Sequence, residues 1–116
     1  MTDLEMVKEK LQETNASLVV LYANGEWKAY YQNRIKDIKE ILRQDKMALQ
    51  GAVIADKVIG KVAGSILAVA GVKEIYADVM SRYAIPVLEE NHIQYEYKNL
   101  VDSIQNNDKT GMCPME

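Results

Sequence analysis

The period of the hydrophobic positions changes along the chain. From Thr2 to Asn15 the apolar residues fall at Leu4, Val7 and Leu11, the spacing of one helical face. Thr2 and Glu5 stand in the right places for a reciprocal capping box at its start. The run ASLVVLY (Ala16–Tyr22) is continuously apolar and β-branched, which predicts a buried strand. Asn24-Gly25 follows; both residues tolerate positive φ, so the pair predicts a hairpin. EWKAYY then returns as a second strand, with Trp27, Ala29 and Tyr31 on one face.

A second helix is expected from Asn33. Ile35, Ile38, Ile41 and Leu42 share one face, and Lys36, Asp37, Lys39, Glu40 and Arg43 fall mostly on the other. ALQGAVIA (Ala48–Ala55) predicts a third, central strand. Asp56 is the expected N-cap of a third helix, Lys57 to Ala70, which Gly71 ends in the left-handed conformation. That helix is apolar on most sides. Its Gly60, Ala63, Gly64 and Ala68 allow close approach to a sheet. KEIYADVM (Lys73–Met80) reads as the fourth strand, a fourth helix lies within Ser81 to Asn91, and IQYEY (Ile93–Tyr97) is the fifth strand. NLVDSIQNND, from Asn99, reads as one or two helical turns, and the tail 107–116 is polar with Gly111 and Pro114.

Strand and helix alternate in the second half, which favours parallel pairing with helices on the sheet faces. The hairpin makes the sheet mixed. The expected architecture is a single α/β domain over 1–116, a three-layer α/β/α sandwich with a mixed sheet of about five strands.

Composition adds mainly exclusions. At 116 residues the chain is one domain long, with 48% hydrophobic and 27% charged residues. A net charge of −3 and a pI of about 5.2 give no broad positive field, so nucleic acid is not an expected partner. A single cysteine and a single histidine exclude an intrachain disulfide, a two-thiolate zinc site and a two-histidine cage. The acidic, helical N-terminus is unlike a signal peptide, and VAGSILAVAGV is too short for a bilayer. The expectation is cytoplasmic, with no membrane association.

Few residues carry chemistry. Lys57 and Lys61 belong to the first turns of the expected third helix, where backbone N–H groups favour an anion. They read equally as solvated lysines, and the Gly60-Lys61 pair lacks the rest of a phosphate-binding loop. Ser81, an expected N-cap, and Arg82 begin the next helix across the same crevice, at the strand ends where open α/β sheets bind ligands. Cys113 is a tail residue that reads as a small packed hydrophobe, a pocket or redox thiol, or a nucleophile. His92 fits the end of a helix. The tyrosines of AYY and YEY fit packing or dimer contacts, with base stacking as the sharper alternative.

DKVIGKVAG (56–64), GVKEIYADVMS (71–81) and the ending TGMCPME (110–116) carry a resemblance. Together with the element order, they resemble the cytidine deaminase-like superfamily, within a small branch of uncharacterised prokaryotic proteins with a domain of unknown function. The resemblance implies a His-Ala-Glu at the start of the helix after the third strand, its His (or a Cys) a zinc ligand and its Glu a proton shuttle, and a Pro-Cys-x-x-Cys after the fourth strand that supplies the other two ligands. On that alignment Gly60 takes the His slot, Val62 the Glu slot, and Ser81 and Ala84 the thiolate slots. Pro86 is awkward a turn into a helix. Residues 57–71 and 80–88 hold no Cys, His, Asp or Glu, so the resemblance implies a scaffold without catalytic zinc and with no cofactor.

Three readings follow. The first is a non-catalytic binder of a nucleotide or related metabolite, lined by Lys57, Lys61, Ser81 and Arg82 with Cys113 folded over them. The second is zinc-independent chemistry using Lys57 or Lys61 with Cys113. The third is homo-oligomeric assembly through apolar helices and a strand edge.

Overall fold

The computed structural model describes residues 2–31 and 34–102. Asn33, Cys113 and the whole expected tail lie outside them. Helix α1 (Asp3–Thr14) opens with the expected box: Glu5 N–H donates to the Thr2 hydroxyl, and Thr2 N–H donates to the Glu5 carboxylate. It ends on Asn15 in the left-handed region, φ 54°. Strands β1 (Leu18–Leu21) and β2 (Trp27–Tyr30) pair antiparallel, Leu21 opposite Trp27. The loop between them turns on Gly25 at φ 93°, with Glu26 N–H donating to the Asn24 side chain.

Helix α2 (Arg34–Gln44) leads to β3 (Val53–Ile59), α3 (Lys61–Ala70), β4 (Glu74–Ser81), α4 (Ile85–Glu90) and β5 (Gln94–Val101). The sheet order is β2-β1-β3-β4-β5; β1 is antiparallel to β2 and β3, and β3, β4 and β5 are parallel. A mixed five-stranded sheet with helices is thus what the strand and helix signals predicted.

Side-chain alternation divides the core. Val19, Leu21, Val53, Ala55 and Tyr76 pack with Val7 and Leu11 of α1. Leu18, Val20, Ile54, Ile75 and Ala77 face the other way, onto Ile38 of α2, Leu67 of α3 and Leu88 of α4. Toward the strand ends the alternation slips. Ile59 joins the same core as Ile54, and Met80 the same core as Ile75, although each pair is an odd number of residues apart.

Several expected boundaries move. Residues 45–52 form successive turns rather than the start of β3: Ala48 N–H donates to Asp45 O, and Ala52 N–H to Leu49 O. Gly51 stands at φ 76° just before the strand. At the far end, β3 continues through Asp56 and Lys57, because both polar side chains find partners. Asp56 is buried and its Oδ1 accepts from Val58 N–H at 3.4 Å; Lys57 Nζ donates to Asn15 Oδ1 at 3.0 Å. The N-cap of α3 is therefore Gly60, not Asp56. Ser81 closes β4 instead of capping a helix, and α4 starts at Ile85, so Pro86 sits in a first turn where its missing N–H costs nothing. Finally, β5 runs to Val101 where helical turns were expected. A parallel ladder with β4 holds it extended, Ser81 opposite Val101.

Candidate functional site

The parallel strands β3, β4 and β5 end side by side. Ile59 pairs with Met80, Met80 with Leu100 and Ser81 with Val101, so Gly60, Ser81 and Val101 lie on neighbouring strands about 4.8 Å apart. Gly60 is buried and extended, φ −97° and ψ −173°, and brings no capping side chain to α3. The first N–H groups of that helix thus lie at the strand ends, where Gly60 has no side chain to accept from them, and Gly64 N–H donates to Gly60 O at 2.9 Å. Lys61 is the first helical residue and is exposed.

Across from it, the chain leaves β4 through a tight turn. Ala84 N–H donates to Ser81 O at 3.0 Å, and Tyr83 N–H donates to Ser81 Oγ at 3.2 Å. Ser81 is fully buried and its hydroxyl shapes this turn. Arg82 is lifted outward: its N–H donates to Val101 O at 2.9 Å, tying the turn to β5. The guanidinium lies 5.2 Å from the Tyr83 ring centre and 3.8 Å from Asp102. The Tyr83 hydroxyl, and then Asp102, raise its proton affinity further, so it is a permanent cation. The strand ends therefore bring together the start of α3, the cationic side chains of Lys61 and Arg82, and an aromatic ring. Those groups suit a small anion attached to a planar body.

Of the residues the sequence singled out, Lys61, Ser81 and Arg82 come to this one sheet end. Lys57 does not belong with them. Its ammonium turns to Asn15 at the end of α1, because β3 continues past the point where the third helix was expected. Cys113 lies outside the described residues. Tyr83 and Asp102 join the site without having been picked out. Asp102 follows the unexpected extension of β5, and no local signal links it to Arg82. His92 is exposed, in the left-handed region at φ 59°, just after the end of α4. Among the described residues no three His, Cys, Asp or Glu side chains gather as metal ligands. No helix among them is long and apolar enough to cross a membrane.

A separate cleft of about 410 Å³ opens between β2 and α2, lined by Lys28, Tyr30, Asp37 and Glu40 among others. Asp37 is buried there, and Oδ2 has no hydrogen-bond partner among the described residues. The Tyr30 hydroxyl shares a 2.5 Å hydrogen bond with Tyr22, and burial, then that bond, hold its proton on well above the usual tyrosine range. The cleft mixes acids and bases and sits at the sheet edge, away from the parallel strand ends.

Comparison with known proteins adds family and fold. The protein is similar to the crystal structure, at 2.70 Å resolution, of a DUF1893 family protein (TM1506) from Thermotoga maritima. The TM-score is 0.83 and the identity 22%, over 98% of this chain and 77% of that one, a likeness of fold. No curated protein matches the sequence. The family described as TM1506, Domain of unknown function (DUF1893), matches residues 6–116, most of the chain, and the protein belongs to that family.

Proposed function

We propose that the protein is a non-catalytic binder of a small anionic molecule, a nucleotide or related metabolite, held at the ends of β3, β4 and β5. In this reading the fold is a three-layer α/β/α sandwich of the cytidine deaminase-like kind, and its zinc site has been lost. The observation that carries the reading is the meeting of three inert positions. Gly60 and Ser81 are neighbours across β3 and β4, and Ala84 abuts Gly64 one turn into α3. These are the positions where a deaminase-like chain would carry a histidine and two thiolates. Here they bear a hydrogen, a hydroxyl engaged with Tyr83 N–H, and a methyl group. Such groups hold no zinc ion.

What remains there is suited to binding. The positive end of α3, Lys61 and Arg82 attract negative charge, and the Tyr83 ring offers a stacking face. Lys57, first counted among the ligand contacts, has no part in this. The test is a thermal-shift screen with nucleosides, nucleotides and nucleobases, run beside elemental analysis of the purified protein. Stabilisation by phosphorylated members, without bound zinc, is the expected result. No shift with any compound removes the binding role, and stoichiometric zinc or conversion of cytidine to uridine removes the lost-metal reading.

A further inference from the structure

The two edges of the sheet are unlike. Edge strand β2 is four residues long and carries Lys28. Edge strand β5 is eight residues long, QYEYKNLV, and pairs only with β4 among the described residues. Its residues are mostly exposed, Tyr97 at 39% and Leu100 at 45%. Long edges with unpaired backbone groups invite another strand unless charge or a bulge blunts them.

The charges on β5 do not repel a second copy; they complement it. Glu96 and Lys98 flank Tyr97. In an antiparallel pair of β5 strands with the two-fold axis at Tyr97, each Glu96 stands opposite Lys98 of the second copy. Shifting the axis by one residue, to Glu96 or to Lys98, puts like charges face to face, which is unfavourable. The favoured register also sets Tyr97 against Tyr97 of the second copy. Tyr97 already stacks on Tyr95 within the chain, ring centres 6.5 Å apart at 15°. Among the described residues Lys98 has no acidic partner, and Glu96 is engaged only by the half-exposed Lys8 at 2.9 Å.

We infer that β5 is a self-recognition edge: two copies of this chain pair β5 against β5, antiparallel about Tyr97, and join their sheets into one of ten strands. The interface is isologous, and Glu96 and Lys98 set its register. This inference is independent of the ligand crevice.

The test is light scattering coupled to gel filtration on the full chain and on Glu96→Lys and Lys98→Glu. Circular dichroism confirms that each variant keeps the parent's secondary structure. The wild type is expected at twice the monomer mass. Each variant alone is expected as a monomer, since it opposes Lys to Lys or Glu to Glu. Mixed in equal amounts, the two variants regain a dimer, because one strand then carries two lysines and the other two glutamates. A monomeric wild type at all concentrations overturns the inference. So does a dimer that survives either reversal, or a mixture that stays monomeric.

Discussion

Gly64 of α3 and Ala84 at the start of α4 are in contact: a β-carbon added to Gly64 would meet the Ala84 β-carbon at 3.2 Å. This approach brings the two helices together beside the strand ends. In an exposed helix, Gly→Ala gains about 0.5–1 kcal/mol of propensity. Here Ala84 would have to yield by a few tenths of an ångström. Gly64→Ala is therefore expected within about 1 kcal/mol of the parent, the two effects nearly cancelling. Gly64→Val has no such balance and should lose about 2–3 kcal/mol, lowering Tm by roughly 10 °C in calorimetry. An unchanged Tm for the valine variant would mean that α3 and α4 are not held at this distance.

Ser81 and Arg82 are neighbours with separable roles. Ser81→Ala removes the acceptor for Tyr83 N–H, a hydroxyl that is itself buried, and should cost about 1 kcal/mol in urea denaturation. Arg82→Ala touches an exposed pair and should leave the urea midpoint unchanged. The same variant should abolish any thermal shift given by a phosphorylated ligand. Full retention of that shift would place the anion elsewhere.

Lys57 supplies the control for that experiment. Its ammonium is bound to Asn15 on the side of the sheet covered by α1, so Lys57→Ala should leave the ligand shift intact. Asn15 itself closes α1 in the left-handed region. Asn15→Gly is expected to change little, while Asn15→Val should cost about 1–2 kcal/mol from backbone strain. Chemical denaturation of the pair checks this, and equal stabilities would contradict the left-handed cap.

The Tyr95 hydroxyl donates to Glu89 at 2.6 Å, and that bond, with burial second, pushes its pKa up to about 12. The folded chain keeps the proton where the unfolded chain releases it near pH ~10. The contribution is therefore whole below pH ~10 and is lost as pH rises through about 12. Tyr76 adds a slope of the same sign, because burial and then its bond to Asp78 raise it too. Urea midpoints measured on both sides of pH ~10 should fall less steeply for Tyr95→Phe than for the wild type. Parallel slopes would exclude the bond to Glu89.

Local signals were read well where their cause was local. The Thr2–Glu5 box, the Gly25 turn and the Gly71 cap depend on residues a few positions apart, and all form. The alternation of strand and helix placed Lys61 and Ser81–Arg82 at strand ends, and they lie at one sheet end. Asp56 and Lys57 misled, since a polar pair after an apolar run looks like a helix start. Their partners, Val58 N–H within the strand and Asn15 far along the chain, make them strand residues instead.

The amino-acid order alone determined which segments bury an apolar face, that strands and helices alternate in the second half, and that one cysteine and one histidine cannot make a two-thiolate or two-histidine site. Only the folded arrangement decided how far β3 and β5 extend, that Lys57 turns to α1, and that Tyr83 and Asp102 stand beside Arg82. Caps and turns are fixed by groups within a turn of one another. Strand lengths and site membership are fixed by ladders between residues about twenty or more positions apart, such as Ser81 and Val101, and no short stretch of chain encodes them.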